Sequence, residues 1–172
     1  MKTVKIRRMV LHYFKGAVNR EIEFGDTETV IAGPNGCGKS TVMDAFFWCL
    51  WGKNAAGQSD QKFAVKTVDG QGEEIPHIDH EVEITLDVDG DTQVFRRTLT
   101  PKYDKEGNLM KNETTYVWNE VPMKQSEYNA KVALVIDEGV FKLVASPFTF
   151  LSMPWNDQRK MLMRMAGDVS DA

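Results

Sequence analysis

Eight consecutive residues, Gly33-Pro34-Asn35-Gly36-Cys37-Gly38-Lys39-Ser40, match G-x-x-x-x-G-K-[ST], the pattern of a loop that cradles phosphate. Glycines at 33, 36 and 38 let the backbone curl so that successive N–H groups face one concavity, which a Cβ would partly obstruct. Main chain can then hold a triphosphate. Lys39 is spaced to reach the β- and γ-phosphates, the Ser40 hydroxyl to ligate Mg²⁺, and Thr41 follows directly. A helix starting near Lys39 would add its positive end and its unpaired amides. The plainer alternative is a glycine-rich turn that matches by accident.

Such a loop needs a strand before it and a helix after it. Residues 27–32, Thr-Glu-Thr-Val-Ile-Ala, are rich in β-branched side chains and end at Gly33, which predicts the strand. Residues 40–51 predict the helix, with Val42, Ala45, Phe46, Cys49 and Leu50 at helical spacing. Met43, Phe47 and Trp51 fall off that stripe, so the helix should be covered on more than one face. Two further strands precede the loop, over 4–13 and 20–24, with Gly25-Asp26 as the turn into the third. Lys15-Gly16, between the first two, is placed either to touch nucleotide or to be a solvated turn. Residues 52–59 carry no periodicity and read as a loop near the site, where Lys53 is a weak candidate contact.

Beyond the loop the chain becomes β-rich. Residues 81–88 alternate strictly, Asp89-Gly90 is a hairpin signal, and 92–99 return as the partner, placing Arg96 and Arg97 on opposite faces. Residues 100–113 read as a polar excursion and 114–118 as another strand. Two short helices are expected over 126–135 and 138–144, the second ended by Ser146-Pro147. An apolar connector over 148–155 leads to a helix capped by Asn156, with Met161, Leu162 and Met165 on one stripe and Gly167 past its end. His77, Asp79 and His80 lack the further Cys or His that a zinc site would use.

The 172 residues suffice for one domain or one lobe of a larger one, and 42% apolar with 27% charged residues is ordinary for a globular chain. A net charge of −4 supplies no general basic field for nucleic acid. No apolar run approaches the roughly 20 residues a bilayer requires and the start has no signal-peptide core, so the expected location is cytoplasmic. Cys37 and Cys49 would stand more than about 10 Å apart along the helix and are expected as reduced thiols. The chain stops a few residues after its last predicted helix, and reads as cut off.

Two strands before the loop and an antiparallel segment after it set this order apart from nucleoside monophosphate kinases and GTPases, whose loop follows the first strand. The order resembles the N-terminal lobe of the ABC-type ATPases of the SbcC, SMC and RecF class. Carrying the resemblance are Tyr13-Phe14-Lys15-Gly16, the loop through Thr41, and the continuation from Val42 to Lys53. Phe141-Lys142-Leu143-Val144 and residues 155–162 resemble the way out of that lobe in SbcC-like proteins, so the whole chain, residues 1–172, reads as one lobe. The resemblance implies an α/β P-loop NTPase fold: a mixed sheet around the loop helix, an antiparallel β-rich segment and C-terminal helices.

It further implies ATP and Mg²⁺ held by Gly33, Pro34, Asn35, Gly36, Cys37, Gly38, Lys39, Ser40, Thr41 and Lys15, with Ser40 on the metal. A C-terminal lobe or second head would be a partner, and the work would be on DNA, in repair or end processing with a nuclease. The family's signature motif and its Walker B strand are absent. Residues 132–138, Val-Ala-Leu-Val-Ile-Asp-Glu, imitate the latter but read better as helix and turn, and residues 145–148 lack the family's Q-loop glutamine. Hydrolysis by this chain alone should be slow, and no catalytic residue is assigned. Two other readings stay open: a self-sufficient phosphotransferase, whose lid arginine could come only from Arg96-Arg97, and a non-catalytic module that uses nucleotide to bind a partner.

Overall fold

A computed structural model describes residues 2–59, 64–145 and 153–166. Six strands form one sheet: β1 (Val4–Phe14), β2 (Ala17–Glu23), β3 (His80–Val88), β4 (Asp91–Tyr103), β5 (Leu109–Trp118) and β6 (Val121–Met123). Their spatial order is β2-β1-β3-β4-β5-β6, and each neighbouring pair is antiparallel. The helices are α1 (Lys39–Trp51), α2 (Gln125–Val135), α3 (Glu138–Ala145) and α4 (Trp155–Ala166). The chain divides into two compact units, Met1–Lys131 and Val132–Ala172.

Strict alternation makes β3 one-sided. Val82, Ile84 and Leu86 are fully buried while Glu81, Glu83 and Asp87 lie on the other face. The register sets Ile84 opposite Phe95 and Val82 opposite Arg97, so one face of β3 and β4 supplies a continuous floor. Asp89 (φ 53) and Gly90 (φ 95) turn the hairpin in the left-handed region, which an Asp-Gly pair accepts at low cost.

Helix α1 closes the core over that floor. Val42, Ala45, Phe46, Phe47, Trp48, Cys49 and Leu50 are all buried, in keeping with apolar side chains on nearly every side. Each large side chain removed from water there contributes about 2 kcal/mol. The Cys49 thiol donates to the carbonyls of Val82 (3.3 Å) and Phe95 (3.5 Å), and the Tyr128 hydroxyl donates to the Cys49 carbonyl at 3.0 Å. Burial pushes that thiol up to about 12, so Cys49 is an inert packing residue. Glycines in the left-handed region bound the helix: Gly38 (φ 88) at its start, and Gly52 (φ 70), whose N–H bonds the Trp48 carbonyl, at its end.

Several expectations change. Residues 27–32 form no strand: they begin in a bend and pair with none of the described strands, leaving Val30 75% and Ile31 39% exposed. A strand exists only as part of a ladder, and this segment has no neighbour to bond. The described sheet is therefore antiparallel throughout rather than mixed. Residues 100–113 are not a loop excursion, because β4 and β5 continue until Asp104 turns the chain, its carboxylate accepting the N–H groups of Glu106 (3.0 Å) and Asn108 (2.7 Å). The second strand starts at Ala17, three residues earlier than expected. Helix α4 begins at Trp155, with Asn156 inside it and the Pro154 carbonyl accepting from Asp157 and Gln158. Residues 132–138 are helix and turn, as expected. The stretch 146–152 and Gly167 lie outside the described residues.

Candidate functional site

The glycine-rich loop sits at the N-terminus of α1. Gly36 (φ 84) and Gly38 (φ 88) occupy backbone conformations that L side chains rarely adopt, which explains two of the pattern's glycines. At Gly33 the reason is contact, since a Cβ there would lie 2.5 Å from the Cys37 sulfur. The Lys39 ammonium folds back into its own loop, donating to the carbonyls of Gly33 (2.6 Å) and Pro34 (2.9 Å) with the Cys37 sulfur 3.9 Å away. These carbonyls hold the lysine at the loop's centre. Ser40 is exposed and Thr41 half-buried beside it.

Two neighbouring segments brace the loop. From β2, the Arg20 guanidinium donates to the carbonyls of Cys37 (3.2 Å) and Gly38 (3.5 Å). From the β1–β2 turn comes Lys15, whose ammonium pairs with the Asp44 carboxylate on α1. Tyr13 (φ 48), Lys15 (φ 47) and Gly16 (φ 85) are all left-handed, two of them without the freedom of glycine. That turn is secured by Lys15 N–H to the Val65 carbonyl (3.0 Å), Gly16 N–H to the Thr67 hydroxyl (3.2 Å) and His80 to the Tyr13 carbonyl (2.7 Å).

Between turn and loop lies a cavity of about 410 Å³, walled by residues 15–20, by Gly36, Cys37 and Gly38, and by Thr41. Lys39 and Ser40 are not among its walls, because the lysine is engaged by its own loop. The arrangement suits a phosphorylated ligand: flexible glycine backbone, a helix N-terminus, and cations at Lys15, Arg20 and Lys39.

Of the residues singled out by sequence, Lys15, Gly36, Cys37, Gly38 and Thr41 line the cavity, while Gly33, Pro34, Asn35, Lys39 and Ser40 belong to the same loop and helix start but do not wall it. Lys53 does not line the cavity and instead bridges to Ser59. Arg96 pairs with Glu83 at 3.8 Å and Arg97 is buried in the core, so neither reaches the cavity. Asp137 starts α3, its carboxylate accepting the Val140 N–H at 2.9 Å. The His77 ring rests 4.2 Å from that of Tyr103. Arg20 and Asp44 escaped sequence reasoning. Asp44 did carry a signal, as the single acidic residue of a helix that is otherwise apolar from Val42 onward; Arg20 carried none.

A family model described as an AAA domain matches residues 8–140. The chain is similar to the chromosome partition protein Smc of Halobacteriovorax marinus, 45% identical over 53 residues, and to that of Myxococcus xanthus, 32% identical over 101 residues. Those alignments cover 30% and 58% of this chain but only 4% and 8% of the relatives, so the chain spans less than a tenth of their length. Among solved structures, one described as "Structural biochemistry of ATP-driven dimerization and DNA stimulated activation of SMC ATPases" superposes with a TM-score of 0.63. It is 22% identical and covers 96% of this chain and 99% of the other, which carries the fold. The chain belongs to the AAA domain family, as an N-terminal lobe of the SbcC/SMC/RecF-like ABC-type ATPases.

Proposed function

We propose that this chain is the nucleotide-binding lobe of an SbcC/SMC-like ATPase that acts on DNA in repair or end processing. In this reading residues 33–41 hold ATP, Ser40 ligates Mg²⁺, and Lys15 contacts nucleotide from the cavity wall. The observation that carries it is the Lys39 ammonium at 2.6 and 2.9 Å from the Gly33 and Pro34 carbonyls, a cation parked within a glycine loop at a helix N-terminus. Those two bonds are exchanged for phosphate oxygens, which are the stronger, charged acceptors. Bound Mg²⁺-ATP supplies a γ-phosphoryl group whose charge is already part-neutralised by the metal. The chain's own residues position it and shield its charge.

Hydrolysis in this reading requires a C-terminal lobe and a second head, and a nuclease would be the partner at DNA ends. The β-branched residues 27–32, paired with none of the described strands, support a second lobe, since they leave backbone available for strand pairing. A cytoplasmic location belongs to the same reading. Among the described residues no helix is long and apolar enough to cross a membrane.

Calorimetric titration of Mg²⁺-ATP into wild type and Lys39→Ala, with turnover followed without any acceptor, tests the proposal. Binding that weakens at least about tenfold in the variant, with negligible turnover in both, is expected. Equal affinities would remove Lys39 from the site, and brisk Lys39-dependent turnover would sink the need for a second lobe.

A further inference from the structure

We infer that Lys15 and Asp44 form a relay that reports nucleotide occupancy to the loop of residues 53–59. The inference rests on the nucleotide reading above and concerns the regulation of that site. Asp44 sits one turn into α1 and uses both carboxylate oxygens in different directions. One oxygen takes the ammonium of Lys15, a residue of the cavity wall; the other accepts the Ala55 N–H at 2.9 Å. The side chains of Lys15 and Asp44 are 29% and 13% exposed, so their attraction is screened less than that of a surface pair.

The loop beyond Asp44 is already a closed unit. Asn54 N–H bonds the Gln58 carbonyl (2.9 Å), Gln58 N–H bonds the Asn54 side chain (2.8 Å), and the two side-chain amides meet at 2.8 Å. Asn54 itself is buried. Ala55 N–H therefore ties a preformed loop to the phosphate-loop helix through one carboxylate.

A polyphosphate in the cavity competes for Lys15 with several negative charges against one. As the ammonium turns toward the ligand, the Asp44 charge falls on its remaining donor, and a hydrogen bond to an unshared carboxylate is the stronger one. Nucleotide thus tightens the Ala55 anchor and stiffens a loop that lies outside the cavity wall.

Amide exchange at Ala55, read by NMR on the whole chain with and without a non-hydrolysable Mg²⁺-ATP analogue, tests this, with saturation established calorimetrically on the same samples. Exchange at Ala55 should slow by about fivefold on saturation. Lys15→Gln should show the slowed exchange without any nucleotide, and in Asp44→Asn the exchange should ignore nucleotide. Unchanged or faster exchange in saturated wild type, or the same slowing in Asp44→Asn, overturns the relay while leaving the nucleotide site standing. Failure of wild type to bind the analogue overturns both.

Discussion

The guanidinium carbon of Arg97 lies 4.9 Å from the centre of the Tyr116 ring and 5.7 Å from the centres of Trp48 and Tyr128. The side chain is 2% exposed and its Nε has no hydrogen-bond partner, so aromatic faces take over part of the role that acceptors would fill. A lysine keeps the charge but not the planar surface that spans three rings. Arg97→Lys should destabilise the fold by about 3 kcal/mol, whereas Arg97→Met, which removes the buried charge at similar volume, should cost less. Urea unfolding of the two variants decides it, and the opposite order would show that the charge itself is what the cage needs.

Gly52 completes this arrangement from the helix side. A Cβ there would lie 2.3 Å from an Arg97 nitrogen, on backbone already in the left-handed region at φ 70. Gly52→Ala should therefore cost about 2 kcal/mol or more, beyond the ~1 kcal/mol expected from the backbone alone. Combining it with Arg97→Met relieves the collision, so the double variant should be more stable than the sum of the single effects predicts. Simple additivity in the unfolding free energies would argue against the contact.

Arg20 holds two carbonyls of the phosphate loop from a neighbouring strand, a fixed fork that lysine cannot reproduce. Without it the loop must be ordered by the ligand, and affinity for Mg²⁺-ATP should fall by about tenfold in Arg20→Ala. The melting temperature should move little, because the residue braces a peripheral loop. Calorimetry and thermal unfolding on the same samples separate the two effects, and an unchanged affinity would release Arg20 from any positioning role.

His80 is fully buried, with Nδ1 on the Tyr13 carbonyl and Nε2 without a partner. Burial holds its pKa below the ordinary histidine value. Its folded form stays neutral as the unfolded chain takes up a proton, so stability is full above about pH 6.5 and declines as pH falls below it toward the folded value. Between pH 7.5 and 5.5 the wild type should lose stability more steeply than His80→Gln. Parallel profiles from denaturant titrations would remove His80 as the cause.

The sequence made the local elements of this site legible because each obeys a short-range rule. The glycines at 36 and 38 report backbone conformation, that at 33 a close approach to Cys37, the alternation over 81–88 a one-sided strand, and Asp89-Gly90 its turn. Long-range relations were not legible in the same way. Whether 27–32 becomes a strand depends on a neighbour, not on its β-branched composition. Arg20 bracing the loop and Asp44 joining Lys15 to Ala55 are encounters that only the assembled sheet and helix create. Arg97 was read with Arg96 as a candidate lid arginine, the two on opposite faces, and burial among three rings is a tertiary choice no single-residue propensity encodes.

The unpaired residues 27–32 give the last expectation. Val30 and Ile31 are apolar, exposed and β-branched on a stretch of backbone that no described strand pairs, a template for another chain's strand. The chain should therefore self-associate as concentration rises. Val30→Lys tests the apolar contribution, since a charge on such an edge blunts stacking. Ile31→Pro tests the backbone contribution: it removes one N–H and biases Val30 toward the extended region that strand pairing needs. If pairing is by ladder, Ile31→Pro should lower association in sedimentation velocity at least as much as Val30→Lys. If apolar contact alone drives it, only Val30→Lys should do so. Association untouched by both would place the sticky surface elsewhere on the molecule. Because neither residue touches the cavity, Mg²⁺-ATP affinity should stay within about twofold of wild type in both variants.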